Sequence, residues 1–194
     1  MLRALLDLLF PPQCGACGTT GSGICERCLP HASRVAFRLT TLHGVALGAY
    51  DGELRRAVLA LKSGRRDVAE AFAQRLSALV TEGDVVVPVP TTAARRRERG
   101  FDGCELIARE IAKRTQATAA CGLIQTAGDR QRGRNRVSRL SAKGRFRWRG
   151  DALAGQRVVL LDDVATTGAT LEDCARVLRG AGATVERAVV VARA

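Results

Sequence analysis

Val158-Val159-Leu160-Leu161-Asp162-Asp163-Val164-Ala165-Thr166-Thr167-Gly168-Ala169-Thr170-Leu171 runs from four apolar residues through two acids into a turn of small residues and the start of a helix. An apolar run of this kind reads as a strand buried on both faces. Ligands of open α/β sheets bind beyond the carboxyl ends of such strands. The helix start offers unpaired amides and the positive end of a dipole. Gly168 lets backbone come close, and Thr166, Thr167 and Thr170 add hydroxyls, so a phosphate monoester fits. Asp162 and Asp163 can take a pair of vicinal hydroxyls directly or through Mg²⁺, which prefers carboxylate and phosphate oxygens. Phosphate plus diol describes ribose 5-phosphate. The alternative is a plain strand-to-helix turn with both acids as solvated caps.

Working outward, strands and helices alternate. Residues 85–90 are a β-branched run closed by prolines, the pattern of a buried strand that ends at a loop. Residues 102–114 carry Leu106, Ile107, Ala108 and Ile111 on a helical face, and 119–124 reads as another strand. Residues 170–178 are helical, with Gly180 and Gly182 as C-terminal caps, and 185–191 supply a last strand. The alternation predicts an α/β fold with a parallel sheet. Upstream, 51–62 and 67–80 read as two helices divided at Gly64, the second opened by an Asp67/Glu70 capping box. Residues 34–50 read as a hairpin or linker strands with His43-Gly44 between them.

The chain has 194 residues, 46 % of them apolar, enough for one core and a small appendage. No apolar run approaches the roughly 18 residues that cross a bilayer. Residues 1–10 are short, interrupted by Asp7 and without a small-residue cleavage site, so a cytoplasmic protein without membrane insertion is expected. Net charge is +12, and nine of the 31 Lys and Arg lie in 130–150, where no acid stands. The other 22 nearly balance the 19 acids, so one segment makes the protein basic.

Cys14-x-x-Cys17, seven residues and Cys25-x-x-Cys28 make two knuckle-like pairs able to clamp one tetrahedral metal. Cys14, Cys17, Cys25 and Cys28 are the expected ligands of a structural Zn²⁺; two disulfides or an iron–sulfur site are the alternatives. A closed four-thiolate shell has no open position for catalysis. Such a module, too short to build its own core, would be folded by its metal. The expected division is a cysteine module at 1–33 and one α/β domain at 34–194. Cys104, Cys121 and Cys174 fall on apolar positions and read as small buried hydrophobes without metal. Lys62 sits at a helix end, where it could reach a phosphate or simply answer the dipole. His31 and His43 have no role assigned.

The stretch at 158–171 resembles the fingerprint of the type I phosphoribosyltransferases. More widely, the cysteine module, Tyr50-Asp51-Gly52, Leu54-Arg55, Leu61-Lys62, Pro88-Val89-Pro90, Arg99-Gly100-Phe101 and the terminal motif resemble the ComF family over nearly the whole chain. The resemblance implies a type I phosphoribosyltransferase-like domain binding phosphoribosyl pyrophosphate with Mg²⁺. Asp162 and Asp163 would hold the ribose hydroxyls, and Ala165, Thr166, Thr167, Gly168, Ala169 and Thr170 the 5-phosphate. It also implies natural transformation, the handling of incoming single-stranded DNA, with other competence or DNA-uptake proteins as partners. Where purine-salvage members carry a base-contacting acid this chain has Thr166, which disfavours oxopurine salvage. The family's Asn-Gln after Arg-Gly-Phe is Asp102-Gly103 here, its Gln-x-Gly-Leu-Ser-Arg is Gln131-Arg132-Gly133-Arg134-Asn135-Arg136, and a later Asn is Ser141.

Pyrophosphate needs cations. Arg95, Arg97 and Arg99, with Arg96 among them, follow the 85–90 strand and suit bidentate phosphate binding, or form a solvated basic helix end. Arg132, Arg134, Arg136, Arg139, Arg145, Arg147 and Trp148 have the composition of a single-stranded DNA or RNA contact, or of a loop closing over pyrophosphate. Three functions stay open: a competence-type donor-binding protein, a phosphoribosyltransferase of nucleotide metabolism with an unknown acceptor, and a non-catalytic adaptor using the pocket as a ligand sensor.

Overall fold

The computed structural model describes residues 11–29, 34–126 and 145–194. The strands are β1 (Val35–Arg38), β2 (His43–Ala49), β3 (Asp84–Pro88), β4 (Thr118–Ala119), β5 (Leu123–Gln125), β6 (Phe146–Trp148), β7 (Arg157–Ala165) and β8 (Thr184–Arg193). The α-helices are α1 (Gly52–Lys62), α2 (Arg66–Leu76), α3 (Ala93–Arg99), α4 (Gly103–Arg114) and α5 (Ala169–Gly180). Six strands form one sheet in the order β1-β2-β8-β7-β3-β4, and β5 pairs with β6 apart from it. Every pairing in the large sheet is parallel except β1 with β2, as the alternation of elements predicts.

The middle stretches of the central strands, such as 85–87, 158–161 and 188–192, are apolar because both faces are covered. Val159 and Leu161 of β7 face a core with Val58, Phe72, Leu76, Ile107 and Ile111 from α1, α2 and α4. Val158 and Leu160 face the other side, with Leu171, Cys174 and Leu178 of α5 and Phe146 of β6.

Several local expectations are corrected. The Asp67/Glu70 capping box does not form: α2 starts at Arg66 with no side-chain cap, and Asp67 accepts from Arg65 Nε at 2.8 Å instead. The helix starts before Asp67, which places that residue inside the first turn rather than at the cap. The helix predicted to Val80 ends at Leu76 and tightens into a 3₁₀ turn over Ser77–Leu79. The 119–124 strand is two strands, β4 and β5, in different sheets. His43-Gly44 is not a turn but the start of β2. A Cβ at Gly44 would come within 2.1 Å of the Phe37 ring, so the glycine lets the β1 aromatic lie flat across the hairpin.

The cysteine segment also packs differently from expectation. Cys14, Ile24, Cys28 and Leu29 are buried in the same core as Leu54, Ala57 and Val68. A Cβ at Gly23 would meet Asp67 O at 2.3 Å, and Arg56 Nε donates to Ala16 O at 2.9 Å. The module therefore docks on α1 and α2 and shares their core. The boundary expected after residue 33, and His31, lie outside the described residues. His43 is exposed.

Candidate active site and metal centre

The cleft exists because β3 stops before β7. Val89 N–H makes the last bond across, to Leu161 O at 2.8 Å, and the next amide on that side, Thr91 N–H, is turned to Asp102 Oδ2 instead. β7 runs on to Ala165, paired beyond that point only with β8. Asp162 and Asp163 fall on this open edge. They border a cavity of about 300 Å³ shared with Lys62, Thr91, Arg95, Arg99, Arg145 and Thr170.

The two acids are electrostatically unlike. The carboxyl of Asp162 is pushed up to about 8, first by burial and then by the Asp163 carboxylate. The Asp163 N–H, donating to Asp162 Oδ1 at 2.8 Å, and the Lys62 ammonium only partly offset this. Asp163 has a partner of its own, Lys62 Nζ at 3.0 Å. Lys62 is thus a member of the site, and its helix-end position is secondary. Nothing local in the sequence signals a pairing across that separation.

The chain between β3 and α4 is fixed by a residue not singled out for function. Asp102 is buried; Oδ2 accepts from Thr91 N–H at 2.8 Å, while Oδ1 accepts from Cys104 N–H at 3.0 Å and Glu105 N–H at 3.2 Å. It caps α4 and closes the loop that begins at Pro90. That loop is a short helix, α3, capped by Thr92, whose hydroxyl accepts from Arg95 N–H at 3.3 Å. Helical spacing sorts its arginines. Arg95 and Arg99, four apart, border the cleft; Arg96 pairs with Glu105 at 2.9 Å; Arg97 is exposed and does not line the cavity. The predicted set Arg95, Arg97 and Arg99 is therefore divided.

At the far end of β7, Ala165 is buried, Thr166, Thr167 and Ala169 are exposed, and Gly168 takes the left-handed N-cap position of α5 at φ 79°. A glycine cap has no side chain to spend on the first-turn amides, which suits an anion from outside. Arg145 Nη2 donates to Thr170 Oγ1 at 2.9 Å, which brings this predicted nucleic-acid contact into the cleft. Arg147 is exposed outside it. Trp148 packs at the edge of the second core beside Gly122 and Gly150, and its Nε1 donates to Asp151 O at 2.9 Å. Arg132, Arg134, Arg136 and Arg139 lie outside the described residues. Cys104 and Cys174 are buried and Cys121 is half-buried; burial raises all three thiols.

The Sγ atoms of Cys14, Cys17, Cys25 and Cys28 all lie within 4.8 Å of one another, and all four cysteines are free. Tetrahedral zinc with bonds of about 2.3 Å needs sulfurs about 3.8 Å apart, and Cys17 and Cys25 stand at 3.7 Å. Such a set can hold one metal ion.

A sequence model described as the phosphoribosyl transferase domain matches residues 55–194. The chain belongs to that family. Its fold is that of the type I phosphoribosyltransferases, and the ComF resemblance is borne out by curated relatives. Competence protein ComFC of Bacillus subtilis (strain 168) is 25 % identical, over 91 % of this chain and 75 % of that protein. DNA utilization protein YhgH of Escherichia coli O157:H7 is 28 % identical, over 94 % and 84 %. A shorter stretch of 42 residues is 55 % identical to an orotate phosphoribosyltransferase of Natronomonas pharaonis, covering 22 % of this chain and 24 % of that enzyme. Among solved structures, the allosteric regulatory enzyme of purine biosynthesis matches 66 % of this chain at 25 % identity and a TM-score of 0.44, and this chain spans 25 % of its length. Orotate phosphoribosyltransferase from Aeropyrum pernix matches 82 % of this chain and 75 % of its own at 19 % identity and a TM-score of 0.39. No helix among the described residues is long and apolar enough to cross a membrane.

Proposed function

We propose that the cleft binds phosphoribosyl pyrophosphate with Mg²⁺, and that the protein uses this site in handling incoming single-stranded DNA during natural transformation. One observation carries the donor reading: two carboxylates on the open edge of β7 lead straight into a glycine-capped helix start. Asp162 and Asp163 take the ribose hydroxyls; Ala165, Thr166, Thr167, Gly168, Ala169 and Thr170 take the 5-phosphate; Arg95 and Arg99 take the pyrophosphate. An all-oxygen donor set whose inner carboxyl resists ionisation is what a hard dication stabilises. Mg²⁺, when bound, neutralises charge on the leaving pyrophosphate.

The chain's own contribution to transfer is positioning and electrostatics, because departure of pyrophosphate leaves an oxocarbenium-like C1 and needs no covalent nucleophile. Lys62 balances Asp163 until a ligand cation does so. The DNA-handling role is supported by the names of the competence and DNA-utilization relatives. The basic segment with Arg132, Arg134, Arg136, Arg139, Arg147 and Trp148 is the proposed nucleic-acid contact, with Arg145 shared with the cleft. Cys14, Cys17, Cys25 and Cys28 hold a structural Zn²⁺, and the cysteine module spans 1–33 beside a phosphoribosyltransferase-like domain at 34–194, in the cytoplasm.

Calorimetric titration of phosphoribosyl pyrophosphate with Mg²⁺ into zinc-loaded protein tests the donor site. Binding in the range of about 1–100 μM is expected, weakened at least about hundredfold in the Asp162→Asn, Asp163→Asn double variant. No binding to the folded wild type would overturn the reading and favour a nucleic-acid adaptor. Release of pyrophosphate on adding an acceptor would separate an enzyme from a ligand sensor.

A further inference from the structure

The hairpin of β1 and β2 precedes the stretch matched by the family model, which starts at residue 55, yet it reaches the phosphate loop from both sides. Leu39, in the turn between the two strands, lies over Gly168: a Cβ there would come within 2.3 Å of Leu39 Cδ2. Two residues on, Thr41 donates to Glu172 twice, from its amide at 2.7 Å and its hydroxyl at 2.5 Å. Glu172 belongs to the first turn of α5, and its amide donates to Gly168 O at 3.0 Å. Arg179, two turns along the same helix, donates to Thr41 Oγ1 at 2.7 Å and Thr41 O at 3.0 Å. On the opposite side Arg193 lies over the Phe37 ring of β1, 5.1 Å from its centroid, and donates to Ala165 O at 2.9 Å.

Both ends of the 165–170 loop are therefore tied to one hairpin. The loop needs such support, since Thr166, Thr167 and Ala169 are exposed and bury nothing of their own. Helix-start amides grip a phosphate only while they converge on one point, and small displacements are costly. The hairpin also disposes of a competitor. An acid in the first turn of a helix is drawn to the same positive end that must receive the phosphate. Here Glu172 is held on Thr41 instead, and Arg179 closes the three-residue network behind it.

Resting on the donor reading above, we propose that the β1–β2 turn is a positioning clamp for the ribose-phosphate cradle, with Leu39 and Thr41 as its positioning residues. The clamp acts on the 5-phosphate half of the site, while the pyrophosphate half stands across the cleft on α3. Two probes separate these halves: ribose 5-phosphate, and inorganic pyrophosphate with Mg²⁺.

Leu39→Ala and Thr41→Val are each expected to weaken ribose 5-phosphate about tenfold and to leave pyrophosphate within about twofold. Thr41→Ser, which keeps the hydroxyl, restores ribose 5-phosphate affinity. In the ligand-free protein, hydrogen exchange at the amides of 166–171 is faster in Thr41→Val than in wild type, with the rest of the sheet unchanged. Unaltered ribose 5-phosphate affinity and exchange in Thr41→Val overturns the clamp, as does a parallel loss of both ligands in all three variants. If wild type itself binds pyrophosphate but no ribose 5-phosphate, the donor reading falls, and the clamp with it.

Discussion

Two acid sites, one buried and one half-buried, stand at opposite ends of the same sheet and are treated in opposite ways. At the amino end of β3, Asp84 is enclosed, but it accepts from Thr81 N–H and Oγ1 at 2.8 Å each and from Arg187 Nη2 at 2.6 Å, with Arg157 Nε 3.6 Å from its other oxygen. Burial alone would raise this carboxyl; the Thr81 bonds and the Arg187 guanidinium outweigh burial and hold it below its ordinary value. At the carboxyl end of β7, burial and Asp163 win, and Asp162 is pushed up to about 8. Asp84 is held by the protein's own amide, hydroxyl and guanidinium donors on Oδ2, while Oδ1 has no hydrogen-bond partner among the described residues. Asp162 is packed against a like charge with a cavity in front of it, an arrangement that the proposed ligand and cation would complete. The four thiols of the cysteine module are likewise ligand atoms gathered within 4.8 Å of one another, with Arg27 Nη2 3.9 Å from Cys17 Sγ.

The largest effect should come from that third site. Chelating the proposed metal, or Cys28→Ser, would remove the cation that holds the module together and loosen a wall of the core containing Ile24, Leu29 and Val68. A loss of at least about 3 kcal/mol is expected, read by chemical denaturation alongside metal content; unchanged stability after complete metal loss would mean that packing alone holds the module. Next comes Asp84→Asn, expected to cost about 2 kcal/mol because Arg187 and Thr81 lose their charged partner. The sign with pH follows from a lowered native value: this stability is present above the unfolded carboxylate range near about 4 and is lost as pH falls through the native value. The deficit of Asp84→Asn should therefore shrink on acidification, and a constant deficit from pH 3 to 7 would contradict the assignment.

At the ligand end, Arg95→Gln and Arg99→Gln should each weaken Mg²⁺–pyrophosphate about tenfold, while Arg97→Gln, outside the cavity, changes it less than about twofold; equal effects would show that α3 works only as a charged surface. The smallest effect is Arg157→Gln, whose side chain is 63 % exposed beside Asp84. Less than about 0.5 kcal/mol is expected, and a larger loss would make that end of the sheet depend on its outer cation.

The fold was legible because its decisive signals are local. The apolar 158–161 run, the prolines at 88 and 90 and the Thr-rich turn to Gly168 each fix a strand end or helix start within a few residues. The positions of the acid pair and of the glycine-capped helix start after it were legible for the same reason. What escaped depends on partners distant in sequence. Lys62 read as a helix-end cation because Asp163 is about a hundred residues away. Asp102 read as a departure from a family pattern, whereas its bonds to Thr91 and α4 show a loop closure. The capping box failed because α2 starts at Arg66, ahead of Asp67, and the 119–124 strand failed on the turn between two sheets. Helical phase on α3, which separates Arg95 and Arg99 from Arg97, was hidden while that segment read as a loop.

The most direct test of the contrast between the two acid sites is thermal denaturation of Asp162→Asn at pH 7, with and without phosphoribosyl pyrophosphate and Mg²⁺. A raised native value means that stability is present below the unfolded carboxylate range and lost as pH rises towards about 8, so wild type carries this penalty at neutral pH. The variant should melt at or above the wild-type temperature without ligand and show no shift when ligand is added, while wild type shifts upward. A variant that melts lower, as Asp84→Asn should, or that keeps the full ligand-induced shift, would show that Asp162 is structural and that the cleft does not depend on it.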